Sequence, residues 1–202
     1  MEQTLEQRAF QYALKAHEGQ FRKSPESKRV PYIVHPRRVA DMVKAWGGSK
    51  RAIAVALLHD VVEDCGEEHY IKIFHKFGVE IAGMVDLLSK PTMTMRKGKP
   101  NYFVKKRYLA RLLHTTPEVV SIKIADRLDN LRSMADAGWD TGRQHKYLDE
   151  AEELIQIYLA VVYREDPQWM GGDPNSHLCV VEIHGEVQRI RESIKCNTLE
   201  LE

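Results

Sequence analysis

The 202-residue sequence predicts an all-α, single-domain helical bundle, on three observations. Apolar residues recur at three- and four-residue spacings almost throughout, the period of one helix face. No segment sustains the apolar–polar alternation of a half-buried strand. One stretch, Ala52 to Leu58 (AIAVALL), is apolar on every side, and such a helix belongs at the centre of a bundle.

The first helix is expected to start after Thr4, whose hydroxyl caps it while Gln7 reaches back in a capping box. Its inward stripe is Leu5, Ala9, Tyr12, Ala13 and Ala16. A polar loop over 18–31 leads to a second helix beginning near His35-Pro36, since proline is tolerated in a first turn. Val39, Met42, Val43 and Trp46 face inward there, and Gly47-Gly48 ends it. Ser49 caps a third helix that runs through the apolar segment into HDVVED and stops at Cys65-Gly66. Further helices are expected over 67–77, 79–89, 101–113, 117–137 and 141–163, and a last one over 174–194. Two linkers interrupt the pattern. Residues 91–100 (PTMTMRKGKP) are basic and bracketed by proline, and 164–175 (REDPQWMGGDPN) are rich in proline and glycine. The expected organisation is a main domain over 1–163, with 164–202 as linker and C-terminal helix packed on it.

Composition narrows the function. Thirty basic against twenty-nine acidic residues give a net charge of +1, without the basic excess of a nucleic-acid binder. The three cysteines, Cys65, Cys179 and Cys196, are odd in number and lack CxxC spacing, which argues against a disulfide framework and for a reducing compartment. The N-terminus is charged throughout, and no apolar run approaches the roughly 20 residues of a membrane span. A cytoplasmic protein with no membrane partner is expected.

Chemistry concentrates where the third helix leaves the core. His59, Asp60, Glu63 and Asp64 crowd together there; in a continuous helix His59 shares a face with Glu63, and Asp60 with Asp64. Three carboxylates and an imidazole so close repel one another unless a cation or proton is shared. An isolated HD pair is weak evidence, but two more residues join it. His35 stands in YIVHP, and Asp126 stands in KIADRLDN, inside a helix that otherwise reads as core. A carboxylate buried there needs compensation, either from Lys123 or Arg127 nearby or from a metal ion. Two imidazoles with two carboxylates suit Mn, Fe or Zn better than Ca or Mg.

The H…HD…D pattern resembles the HD superfamily. AHEGQFRKS, PYIVHPRRVA, ALLHDVVEDC, FGVEIAGMVDLLSK and IKIADRLDNLRSM are together similar to the hydrolase domain of RelA/SpoT homologues, over about residues 8–160. The resemblance implies an HD phosphohydrolase bundle that takes a nucleotide, ppGpp or pppGpp, and removes pyrophosphate from the ribose 3′ position to leave GDP or GTP. With no synthetase or regulatory text following, it implies a stand-alone small alarmone hydrolase. Carried over residue by residue, it gives His35, His59, Asp60 and Asp126 as manganese (Mn²⁺) ligands and Glu63 and Asp64 as the catalytic pair. Arg22, Lys23 and Ser24 match the motif that holds guanine, and Asn130 and Ser133 match contacts to ribose and base. Asp126, Asn130 and Ser133 also fall at i, i+4 and i+7 on one helical face.

The sequence departs from its relatives in places. Extra residues stand between RKS and PYI, threonine is replaced at Ser133, and the usual ADRLHN reads ADRLDN. Asp129 therefore adds a negative charge; facing the pocket it would oppose a polyphosphate or take a second cation, and we expect it to face solvent. Arg96, Lys97 and Lys99 in the basic loop are candidates for steering an anionic ligand. His17 reads as a packing histidine, and His69, His75, His114, His145, His177 and His184 lack ligand-like partners. Two rivals follow from the same text: an HD phosphohydrolase for another nucleotide (a 5′-nucleotide, an adenine alarmone or NADPH), and a non-catalytic alarmone-binding module.

Overall fold

The computed structural model describes residues 3–22, 29–90, 102–134, 139–165 and 174–199. Among them are ten helices and one isolated bridge, Phe21 to Pro31. The helices are α1 (Leu5–Ala16), α2 (Val34–Ala45), α3 (Lys50–Leu58), α4 (Val61–Cys65), α5 (Glu68–Phe77), α6 (Val79–Leu88), α7 (Tyr102–Leu112), α8 (Pro117–Arg132), α9 (Thr141–Glu165) and α10 (Pro174–Leu199).

Helix α1 begins as its sequence requires: Thr4 Oγ1 accepts from the Gln7 amide at 3.2 Å, and Gln7 Oε1 accepts from the Thr4 amide at 2.9 Å. Helix α2 ends in a Schellman motif, with the Gly48 amide on the Val43 carbonyl (2.9 Å) and the Gly47 amide on the Lys44 carbonyl (3.1 Å). Gly47 takes φ of 81°, a conformation that carries little penalty only for glycine. A Cβ on Gly48 would lie 2.5 Å from Val43 Cγ1, so the second glycine is needed for closeness of approach.

Ala52 through Leu58 are all buried, and α3 lies at the centre against α1, α2, α6 and α8. Helix α8 is a second central rod, packed on α2, α3, α6, α9 and α10. Every residue from Ile122 to Asp129 is buried, including Lys123, Asp126, Arg127 and Asp129. Helix α10 lies against α8 and α9 and inserts Cys179, Ile183, Val187 and Ile190 into the core. No helix among the described residues is long and apolar enough to cross a membrane.

Helix α10 runs to Leu199, past the expected 194, and two boundaries near the charged cluster also differ from expectation. The third helix does not run through HDVVED: α3 stops at Leu58, His59 and Asp60 form a turn, and α4 restarts at Val61. His59 Nδ1 donates to the Ala56 carbonyl at 2.8 Å, the acceptor that a continuous helix would give to the Asp60 amide. Helix α8 ends at Arg132, where Ser133 caps it and turns its hydroxyl back to the Asp129 carbonyl at 2.9 Å.

Candidate metal centre

Three elements deliver the centre. The first turn of α2 carries His35, the junction of α3 and α4 carries His59 and Asp60, and the middle of α8 carries Asp126. His35, His59 and Asp126 are buried and present ligand atoms all within 4.8 Å of one another. His35 Nε2 stands 3.2 Å from Asp126 Oδ1 and 3.5 Å from Asp60 Oδ2. His59 Nε2 stands 3.2 Å from Asp60 Oδ2 and 3.9 Å from Asp126 Oδ1.

Neighbouring groups fix the orientation of each side chain. The carbonyl of Ala56 can only accept, so His59 carries hydrogen on Nδ1 and turns Nε2 inward. Asp129 Oδ2 does the same for His35, meeting Nδ1 at 2.7 Å. Asp126 Oδ2 takes the Lys123 ammonium at 2.6 Å, and its Oδ1 accepts from Asn130 Nδ2 at 2.7 Å. Tyr32 donates its hydroxyl to Asp60 Oδ2 at 2.6 Å, while its ring stacks on His17 with centroids 4.7 Å apart. His17 is buried there, with Nδ1 2.8 Å from Gln20 Oε1 and Nε2 without a hydrogen-bond partner among the described residues.

Opposite charges compensate one another within the cluster. Burial would depress the imidazolium of His35, but hydrogen bonds to Asp126, Asp129 and Asp60 hold its pKa well above the ordinary value. Burial likewise opposes charge on His59, and the charges of Asp60 and Asp126 raise its pKa nonetheless. Burial alone would lift the carboxyls of Asp60 and Asp126. The charge of His59 and a bond from His35 hold Asp60 well below the usual range, and Lys123 and His35 do so for Asp126. Within the group of His35, His59, Asp60 and Asp126, one nitrogen lacks a hydrogen bond. His59 Nε2 is buried without a hydrogen-bond partner, because Asp60 Oδ2 is near but misaligned. An orphaned imidazole nitrogen facing two carboxylates and a second imidazole fits a divalent transition ion, and the nitrogen–oxygen donor set agrees.

A polar pocket of about 140 Å³ opens beside this cluster, its rim including Glu63, Lys90, Lys123, Arg127, Asn130 and Tyr147. Because the helix breaks, Glu63 and Asp64 sit on a separate turn. Glu63 is held twice by Lys90, through the backbone amide and the ammonium, each at 3.0 Å. Partial burial and the charge of Asp60 raise the Asp64 carboxyl above its ordinary value. Arg127 pairs with Glu150 at 3.0 Å and lies over the Tyr147 ring at 4.0 Å.

Arg22, where the 22–31 loop begins, contacts Asn130 on the wall of the same pocket. Its ends are tied by the Arg22 amide on the Val30 carbonyl and the Tyr32 amide on the Gln20 carbonyl, both at 2.9 Å. Arg22 Nη2 donates to Asn130 Oδ1 at 3.1 Å and to Ser133 Oγ at 2.9 Å, bringing together three of the residues expected to touch a nucleotide. Lys23, Ser24 and the whole 91–100 loop, with Arg96, Lys97 and Lys99, lie outside the described residues.

Asp129 corrects an expectation. It does not face solvent: it is 3% exposed, bonded to His35 and 3.5 Å from Arg22 Nη2. Sequence reasoning also passed over Tyr32 and Lys90. Tyr32 lies three residues before His35, and that spacing in YIVH was the available signal.

Residues 9–165 match the family model described as the HD domain. Over 158 residues the chain is 33% identical to a guanosine-3′,5′-bis(diphosphate) 3′-pyrophosphohydrolase of Aquifex aeolicus, covering 78% of this chain and 21% of that protein. A protein of the same name from Haemophilus influenzae is 34% identical over 151 residues, covering 74% and 21%. A GTP pyrophosphokinase of Myxococcus xanthus is 30% identical over 169 residues, covering 81% and 21%. The chain thus spans about a fifth of the length of these curated relatives. A solved structure described as a metazoan ortholog of SpoT that hydrolyses ppGpp superposes with a TM-score of 0.68 over 91% of this chain and 95% of that one, at 24% identity, and shares the fold.

Proposed function

The chain belongs to the HD domain family, and on that premise we propose that it is a manganese-dependent, cytoplasmic hydrolase of ppGpp and pppGpp that cleaves at the ribose 3′ position. The observation that carries this reading is the buried convergence of His35, His59 and Asp126 beside Asp60, with the Nε2 atom of His59 unpartnered. His35 and His59 would hold the ion through Nε2, with one oxygen each from Asp60 and Asp126. A bound divalent ion supplies Lewis acidity toward a phosphoryl oxygen and lowers the pKa of its water.

The remaining chemistry belongs to the chain. Lys123 occupies the second oxygen of Asp126 and keeps that carboxylate ionised and oriented. Asp64, its carboxyl raised above the ordinary value by partial burial and the charge of Asp60, is suited to take and return a proton. Glu63 is anchored on Lys90, which places an ammonium at the pocket rim beside the incoming phosphates. Arg22, Asn130 and Ser133 form one polar wall for ribose and base, with Lys23 and Ser24 following Arg22 in the same loop. The names of the relatives from Aquifex aeolicus and Haemophilus influenzae support the substrate class, and the motifs that carry the resemblance support the 3′ position.

The test is ppGpp incubated with purified protein, with and without Mn²⁺, with the products separated by anion exchange. GDP and pyrophosphate formed only with metal are expected. Release of orthophosphate from a simple 5′-nucleotide, with ppGpp untouched, would replace this substrate with another nucleotide. Tight ppGpp binding without turnover in Mn²⁺ would make the protein a binding module.

A further inference from the structure

We infer that Asp129 is a positioning residue that orients His35 for metal binding and ties the substrate loop to the metal centre through Arg22. The inference rests on the reading of His35 as a ligand and goes beyond it by naming what holds that ligand. One buried carboxylate serves three partners. Its Oδ2 meets His35 Nδ1 at 2.7 Å and lies 3.5 Å from Arg22 Nη2, and its Oδ1 lies 3.7 Å from Arg38 Nη1. A carboxylate can only accept, so the contact fixes hydrogen on Nδ1 and turns the Nε2 lone pair of neutral His35 toward His59 and Asp126. An imidazole backed by a carboxylate is also a more basic, better-oriented ligand than one backed by water. The second contact gives the arrangement its consequence for the substrate loop. Arg22, the residue that opens the 22–31 loop, rests on Asp129 and Asn130 in the last turn of α8 and on Ser133, which caps it. Metal ligand and loop therefore share one anion, three residues along the helix from Asp126. The resemblance places histidine at this position in relatives, and a neutral histidine there would lack the charge that holds both groups.

The test uses the full chain with metal removed, titrated with Mn²⁺ by calorimetry, for wild type, Asp129→Asn and His35→Ala. Asp129→Asn keeps the shape and one acceptor while removing the charge. It is expected to weaken Mn²⁺ binding about tenfold or more and to raise KM for ppGpp more than it lowers kcat at saturating metal. His35→Ala is expected to lose binding further. If Asp129→Asn binds Mn²⁺ within twofold of wild type while His35→Ala loses it, the positioning role is overturned and the metal centre stands. If His35→Ala also binds normally, the ligand reading falls and this inference with it. A wild-type measurement guards against a variant that fails to fold. In the Zn²⁺-loaded protein the His35 Nδ1 proton should be shifted downfield and slow to exchange with water in nitrogen-15 NMR. A proton in fast exchange there would overturn the assignment without any substitution.

Discussion

Glu63 and Asp64 are adjacent in sequence but stand in different fields, and their substitutions should separate. Asp64 is pushed above the ordinary carboxylate value by partial burial and by the charge of Asp60. As pH falls through that raised value Asp64 gains a proton, so a rate that needs it as a base falls too. Asp64→Asn should slow hydrolysis roughly 100-fold or more, leave metal content unchanged and flatten the acidic limb of the pH–rate profile. An acidic limb that persists in the variant assigns the base elsewhere. Glu63→Gln should also retain the metal while slowing turnover, since Glu63 bonds Lys90 and lies outside the imidazole–carboxylate cluster; metal lost in that variant would make Glu63 a ligand. Lys123 is a different case, because the residue is 3% exposed and its ammonium is paired with Asp126 at 2.6 Å. Lys123→Met should cost on the order of 3 kcal/mol in denaturant unfolding of the metal-free protein, with part recovered in Mn²⁺ because a second cation then faces Asp126. An equal loss with and without metal would show that the ammonium and the ion do not share this carboxylate. The sequence made most of these residues visible: an HD pair with an outlying histidine and an aspartate in an apolar helix is a pattern of type and spacing. Of its two readings of Asp126, the pairing to lysine is seen at Oδ2, while Oδ1 stands by Asn130 and the Nε2 atoms of His35 and His59. Asp129 was misread because α8 is buried on all sides, and periodicity locates solvent only for a helix that has a polar face.

Helix ends place the chemistry, and they were the least legible part of the fold. The chain from Ser49 to Cys65 reads as one helix because propensity and apolar spacing continue through VVEDC. The interruption at His59 and Asp60 comes from a side chain taking a backbone acceptor, an event that no windowed pattern registers. It turns His59 and Asp60 toward α2 and α8 while Glu63 and Asp64 go to a separate turn over the pocket. The end of α8 at Arg132 differs, because the Asp129 carbonyl keeps the Ser133 amide at 3.1 Å and also accepts the Ser133 hydroxyl. The end of α2 was legible, because a Gly-Gly pair after the last inward residue has a specific backbone use. Gly47 has φ of 81°, and the Gly47→Ala variant should lose about 1 kcal/mol. For a chain of this size that lowers Tm by roughly 2–4 °C, readable by circular dichroism. A Tm unchanged within error would mean the turn relaxes to a conformation alanine tolerates. The consequence reaches the site, because the same helix carries His35 in its first turn.

At the scale of the whole molecule, two central helices meet where the charge is, and the stability of the bundle is coupled to what neutralises that charge. In the metal-free protein His35 does so as an imidazolium, with its pKa held well above 6.5. A raised folded-state value means stabilisation fully present below 6.5 and lost as pH rises through the folded value. Asp60 and Asp126 work in the opposite sense: their pKa values lie well below 3.8, so their contribution is present above 3.8 and lost as pH falls through the folded values. The metal-free bundle should therefore be most stable between about pH 4 and 6.5 and weaken on the alkaline side. Metal binding requires neutral imidazoles, so it releases protons and strengthens as pH rises. The gap in Tm between Mn²⁺-loaded and chelator-treated protein should consequently be small near pH 6 and wide near pH 8.5. At free metal about 100 times Kd the added stability is about 2.7 kcal/mol, a shift of roughly 5–10 °C for this chain length. Scanning fluorimetry across that range, with calorimetry in two buffers of different ionisation enthalpy to count released protons, measures both halves. A gap that narrows with rising pH, or binding that releases no proton, would mean the ion enters without displacing the imidazolium hydrogens, contrary to the orientation that the Asp129 and Ala56 contacts impose on the two rings.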